Sequence, residues 1–170
     1  MTEISVFDAA FGVFGRVIDP APFAPLLEEL ERLPMPPESW AWQPREDCLH
    51  SHLEFAAQGE ALLGDMPYQL GWCMGGNRRA DTLARHGGGT FVISRVPFSL
   101  ILSSRDRSQT VRVTVPEGVA LELYGDTWRS APLGEGFRIL VLQPFATNTG
   151  LDLQSPADGL HTRNTWITPA

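Results

Sequence analysis

From Tyr68 onward the chain breaks into short runs of β-forming residues punctuated by Gly, Pro, Asn and Asp. The runs are Tyr68 to Cys73, Thr90 to Ser94, Phe98 to Ser103, Thr110 to Val115, Val119 to Tyr124, Phe137 to Leu142 and Arg163 to Thr168. Many strands at short intervals predict a sandwich or a barrel. Between Thr110 and Val115, Val111, Val113 and Val115 alternate with Thr110, Arg112 and Thr114. Successive side chains of a strand point to opposite faces, so one face is core and the other is wet or lines a cavity. Val119, Leu121 and Leu123 alternate in the same way with Ala120, Glu122 and Tyr124, which puts Glu122 and Tyr124 on a shared face.

Before residue 66 the period is helical. Leu26, Leu27, Leu30 and Leu33 share one face of a segment from Pro25 to Leu33; Pro25 suits its first turn and Pro34 stops it. Leu49, Leu53, Ala56, Ala57 and Leu63 recur at helical spacing between Asp47 and Leu63, and Gly64 fits the residue after the C-cap. The pattern predicts one mainly β domain with N-terminal helices, in which residues 1–65 form a helical cover and 66–170 the barrel. A chain of 170 residues can bury a core of that kind without disulfide or metal staples.

Composition narrows the chemistry. Two cysteines, Cys48 and Cys73, lack the spacing of a redox or zinc pair, and there is no signal-peptide pattern or long apolar run. These features predict a cytoplasmic protein with no membrane partner. A formal net charge of −7 argues against nucleic acid. Yet residues 66–170 carry 10 arginines against 8 acids, so this half is slightly basic. No lysine is present, which excludes an internal Schiff base, a pyridoxal phosphate anchor and a P-loop lysine. Nucleophile-elbow and dinucleotide fingerprints are also missing.

The segments MPYQLGWCMGGN, LARH, PEGVALELYGDTWRSAP, GFRILVLQP followed by ATN, and RNTWI, in this order, resemble a cupin-like family associated with bacterial sugar-metabolism genes. The opening FGVFGRVID is similar to the same family and, more distantly, to ureidoglycolate lyase-like cupins. The resemblance implies a cupin-like double-stranded β-helix barrel with an interior able to hold a divalent metal. His86 and Glu122 match a histidine and a glutamate of the family pattern, whereas Ala84, Thr90 and Arg129 stand where it carries two glutamates and a second histidine. Two donors underfill a divalent site, and a guanidinium repels a cation. No tightly bound metal or other cofactor is therefore expected; an atypical divalent-metal site is the alternative.

A guanidinium also matches a carboxylate or phosphate bidentately, which makes Arg129 the leading binding group. Asn77, Trp72, Tyr124 and Trp128 are the expected further contacts to substrate, and His86 with Glu122 the expected catalytic pair for moving a proton. Arg78, Arg79 and Arg85 make the mouth basic, unless they are solvated or paired with Asp81, Asp126 and Glu122. Cys73 is read as a small buried apolar residue, His50 and His52 as surface residues, and Gly87 to Gly89 as a barrel corner. The expected function is binding of a small polar anionic metabolite, such as a sugar acid, sugar phosphate or ureido acid, by a metal-degenerate relative of a carbohydrate-metabolism enzyme. An active isomerase or lyase is the alternative. A homodimer is expected, because exposed barrel edges are commonly managed by pairing.

Overall fold

The computed structural model describes residues 1–51, 61–62, 64, 67–81, 83–85, 88–144 and, for the backbone only, 165–167. Its strands are β1 (Thr2–Ser5), β2 (Gly15–Ile18), β3 (Trp40–Gln43), β4 (Tyr68–Asn77), β5 (Leu83–Arg85), β6 (Thr90–Ser94), β7 (Phe98–Ser103), β8 (Thr110–Val115), β9 (Ala120–Leu123), β10 (Trp128–Arg129), β11 (Gly134–Pro144) and β12 (Thr165–Ile167). They form two six-stranded sheets, ordered β1-β8-β7-β10-β5-β12 and β2-β9-β6-β11-β4-β3.

Between β4 and β11 the chain crosses to the opposite sheet at every connection except the β7–β8 hairpin. The eight strands thereby close a β8-β7-β10-β5 layer over a β9-β6-β11-β4 layer, which is jelly-roll topology. This is the cupin-like double-stranded β-helix that the resemblance implies.

Strand alternation fills the space between the sheets. Val111, Val113 and Val115 from β8, and Leu121 and Leu123 from β9, meet Leu100, Leu102, Val92, Ile139 and Val141 in one buried cluster. Each apolar side chain buried there stabilises the fold by about 25 cal/mol per Å² removed from water.

A second cluster lies on the outer face of the second sheet. There α1 (Ala24–Arg32) buries Leu26, Leu27 and Leu30 against Leu70, Met74, Phe91, Ile93, Leu140 and Leu142. Arg138 of β11 anchors the helix: its Nη1 donates to the carbonyls of Leu30 at 3.0 Å and Leu33 at 2.7 Å. A cation there answers the Leu33 carbonyl, adds a second donor to the Leu30 carbonyl, which also accepts the Leu33 N–H, and meets the negative end of the helix dipole.

The first 65 residues differ from the expected helical cover. β1 and β2 are edge strands of opposite sheets, and β3 pairs with β4. Each is four residues long and is held by pairing with a neighbouring strand. The second expected helix is present as α2 (Asp47–His50), and residues 61–62 are also helical; Leu53, Ala56, Ala57 and Leu63 lie outside the described residues. Gly71 is dictated by close approach, since a Cβ there would sit 2.1 Å from the Gln43 carbonyl oxygen and 2.5 Å from that of Pro44. No helix among the described residues is long and apolar enough to cross a membrane.

Candidate functional site: a buried guanidinium between the sheets

The alternation of β6 sets the geometry. Val92 belongs to the cluster between the sheets, whereas Phe91 and Ile93 belong to the outer cluster under α1, so Thr90 and Ser94 face inward. Thr90 lies opposite Leu123 of β9. On its other side β11 pairs Leu142 with Phe91, so the next residue, Gln143, falls beside Thr90; Gln143 in turn pairs with Gln69 of β4. Gln69, Gln143, Thr90 and Leu123 thus line one transverse row of the second sheet, and all four are buried.

Arg129 meets this row from the other sheet. It sits on β10 between Ala84 of β5 and Leu102 of β7, and Leu102 packs between the sheets. The residue is 8% exposed, and Nη2 donates to Thr90 Oγ1 at 2.6 Å. Nη1 is buried and has no hydrogen-bond partner among the described residues. Burial disfavours the charged form and pushes the pKa down to about 9, so the group still carries its charge at neutral pH. Trp42, paired with Cys73 of β4 and packed on the same cluster, holds the other buried donor without a partner among the described residues, Nε1.

The other sequence-expected residues do not join this layer. Glu122 pairs in register with Phe91, on the outward face of its strand, and accepts a bond from Arg16 Nε at 2.5 Å. Trp128, one residue before Arg129, points to the outer face of the first sheet. There it packs on Leu83 and Ile101, donates through Nε1 to the Arg105 carbonyl at 3.2 Å and lies 5.0 Å beneath the Arg85 guanidinium. Trp72 faces outward on β4 and donates to Glu46 at 3.0 Å. Tyr124 is 38% exposed beyond the end of β9. Asn77 spends its side chain on a turn: its amide donates to the carbonyls of Arg79 and Pro132, and its oxygen accepts from the Arg79 N–H. His86, His52 and Gly87 lie outside the described residues. Of the expected side chains that are described, Arg129 alone faces the layer between the sheets.

Three smaller readings fare differently. Cys73 is buried between the sheets, where desolvation pushes its thiol up to about 12 and leaves no thiolate for nucleophilic chemistry. His50 is no surface residue: Nε2 accepts the Leu70 N–H at 2.8 Å, and the ring stacks on Tyr68. Arg78 pairs with Glu135, not with the acids expected from sequence.

A divalent cation does not fit the described donors. Thr90 and Arg129, at two positions where the resembled family implies ligands, bond to each other, and the third such position is Ala84. Glu122 is engaged on the other face, and among the described residues no three of His, Cys, Asp or Glu converge. Sequence reading did not single out Gln69 or Gln143. The available signal was parity: each lies at inward spacing from Cys73 or Val141, where an apolar residue is the rule.

No curated protein matches the chain in sequence. Among solved structures it is similar to salicylate 1,2-dioxygenase from Pseudoaminobacter salicylatoxidans, with 10% identity over 73% of this chain and 30% of that one and a TM-score of 0.42. An oxidoreductase of the 2OG-Fe(II) oxygenase family from Burkholderia pseudomallei matches at 10% identity over 82% and 79%, with a TM-score of 0.44. A non-heme alpha-ketoglutarate dependent epimerase from nogalamycin biosynthesis matches at 16% identity over 74% and 73%, with a TM-score of 0.41. A family model described as a domain of unknown function (DUF4867) matches residues 4–169, and the chain belongs to that family.

Proposed function

We propose that this protein binds a small polar anionic metabolite between its sheets, with Arg129 as the anchoring group. The observation that carries the reading is Arg129 Nη1, a donor on a buried cation with no partner among the described residues. Removing a charge from water costs several kcal/mol unless an opposite charge and hydrogen bonds answer it. Here the described chain answers with one threonine hydroxyl. An anionic ligand supplies both the acceptor and the countercharge.

Binding is favoured over an isomerase or lyase by the composition of the same layer. The described polar side chains of β4, β6 and β11 that face it, Thr90, Ser94, Gln69 and Gln143, do not exchange protons at neutral pH, and Glu122 is on the far face of its sheet. Arg129 and Thr90 replace two ligands of the resembled family, which is the pattern of a metal-degenerate relative turned to anion binding.

Calorimetric titration tests this with gluconate, glucose 6-phosphate and N-carbamoylglycine as a sugar acid, a sugar phosphate and a ureido acid. Saturable binding of at least one, lost in Arg129→Met, is the expected result. Absence of Arg129-dependent binding for all three overturns the reading.

A further inference from the structure

We infer that the ligand is a monocarboxylate with an uncharged polar body, not a phosphate ester. This rests on the reading of Arg129 as an anion anchor and narrows it by charge and donor count.

Arg129 is the one charged side chain among the described buried residues. One carboxylate brings the buried charge to zero. A phosphate monoester carries close to two charges above its second pKa of about 6, so it leaves net negative charge inside the barrel. Such a charge is destabilised by the same desolvation that acts on the guanidinium.

Donors tell the same story. Nη2 is committed to Thr90, and Nη1 is the open donor beside it. A planar two-oxygen acceptor fits one edge of a guanidinium, whereas the third oxygen of a phosphate needs a further donor. The row opposite is neutral: Thr90, Gln69 and Gln143 are hydroxyl and carboxamide groups, bordered by Leu123, Leu102 and Ala84. That lining is polar but uncharged, and it offers nothing to a second charge.

The charge class can be read without knowing the natural ligand. Thermal unfolding is followed in acetate and in inorganic phosphate at matched ionic strength and pH 8, with Arg129→Met and Arg129→Gln as references. Expected is a saturable, Arg129-dependent stabilisation by acetate, with apparent affinity at least about tenfold above that of phosphate, equivalent to 1.4 kcal/mol. Phosphate stabilising as well as acetate through Arg129 overturns the monoanion inference and leaves the anion site intact. No Arg129-dependent response to either anion overturns both.

The native protein alone gives an independent check should either variant fail to fold. Phosphate affinity is expected to rise between pH 8 and pH 6, as its second proton returns, while acetate affinity stays flat. Phosphate that binds more tightly at pH 8 overturns the inference.

Discussion

Two arginines approach the second sheet from opposite sides, and their surroundings differ in kind. Arg138 lies on the outer face under α1, where Nη1 reaches two helix-end carbonyls and Nε stands 3.8 Å from Glu31. Arg129 lies on the inner side with one hydroxyl partner and a nitrogen that has no partner among the described residues. The described residues answer the first charge from the backbone and leave one nitrogen of the second open. Arg138 is half-buried and Arg129 buried, so the more deeply buried guanidinium is the less completely answered. What separates them is whether the protein completes the coordination itself.

The largest expected effect comes from removing the answered charge. Arg138→Ala strands the carbonyl of Leu33, takes one of two donors from that of Leu30, and is expected to destabilise the fold by about 2 kcal/mol, as measured by urea denaturation. An unchanged midpoint would show that the apolar face of α1 suffices to hold it. Arg129→Met breaks the comparison from the other side. It exchanges an incompletely answered buried charge for an apolar side chain, so stability is expected to hold or to rise by about 1 kcal/mol. A loss above about 2 kcal/mol in the same assay would mean that the charge is already satisfied, and the contrast would collapse.

A smaller effect belongs to His50, which must be neutral at Nε2 to accept the Leu70 N–H. Desolvation holds its folded pKa below the ordinary 6.5, with Arg45 adding to the same direction. A lowered folded pKa means the unfolded chain takes up the proton first. This contribution is therefore full above about pH 6.5 and is lost as pH falls from there through the folded pKa. The native protein is expected to lose stability over that interval more steeply than His50→Leu in urea titrations at stepped pH.

Glu122→Gln sharpens the comparison by exempting the outer face. The Arg16 side chain is 66% exposed, so loss of its charge pair with Glu122 is expected to cost about 0.5 kcal/mol or less. The acetate response should be retained. Its disappearance would place Glu122 in the site and revive proton-transfer chemistry there.

The central strands were legible in the sequence. Thr90–Ser94, Phe98–Ser103 and Thr110–Val115 have the bounds their residue patterns predict, because each is an apolar or alternating run closed by turn residues. β10 was not, because two residues contain no period; its place comes from bonding to β5 and β7. The N-terminal strands escaped for a related reason, since their pairing partners lie far along the chain or carry the stronger signal.

Of the candidate site, one residue was legible. Arg129 was read from its chemistry and its place in a resemblance. The error concerned faces: the alternation of Leu121 and Leu123 with Glu122 was visible, but the polar side was taken for a possible cavity lining. In a closed barrel the core face and the cavity face are the same face. A carboxylate alternating with core leucines therefore points outward.

The pairing of β1 also has a consequence for biosynthesis. Its partner is β8, in parallel, with Thr2 opposite Val111. Synthesis exposes this strand well before its partner, so the pair forms only after β4 to β8 have been made. The β7–β8 hairpin can form locally, but the outer edge of β8 stays open until β1 docks on it in parallel. That edge of the first sheet is thus closed by two strands separated by a long intervening stretch of chain, a contact that cannot form early.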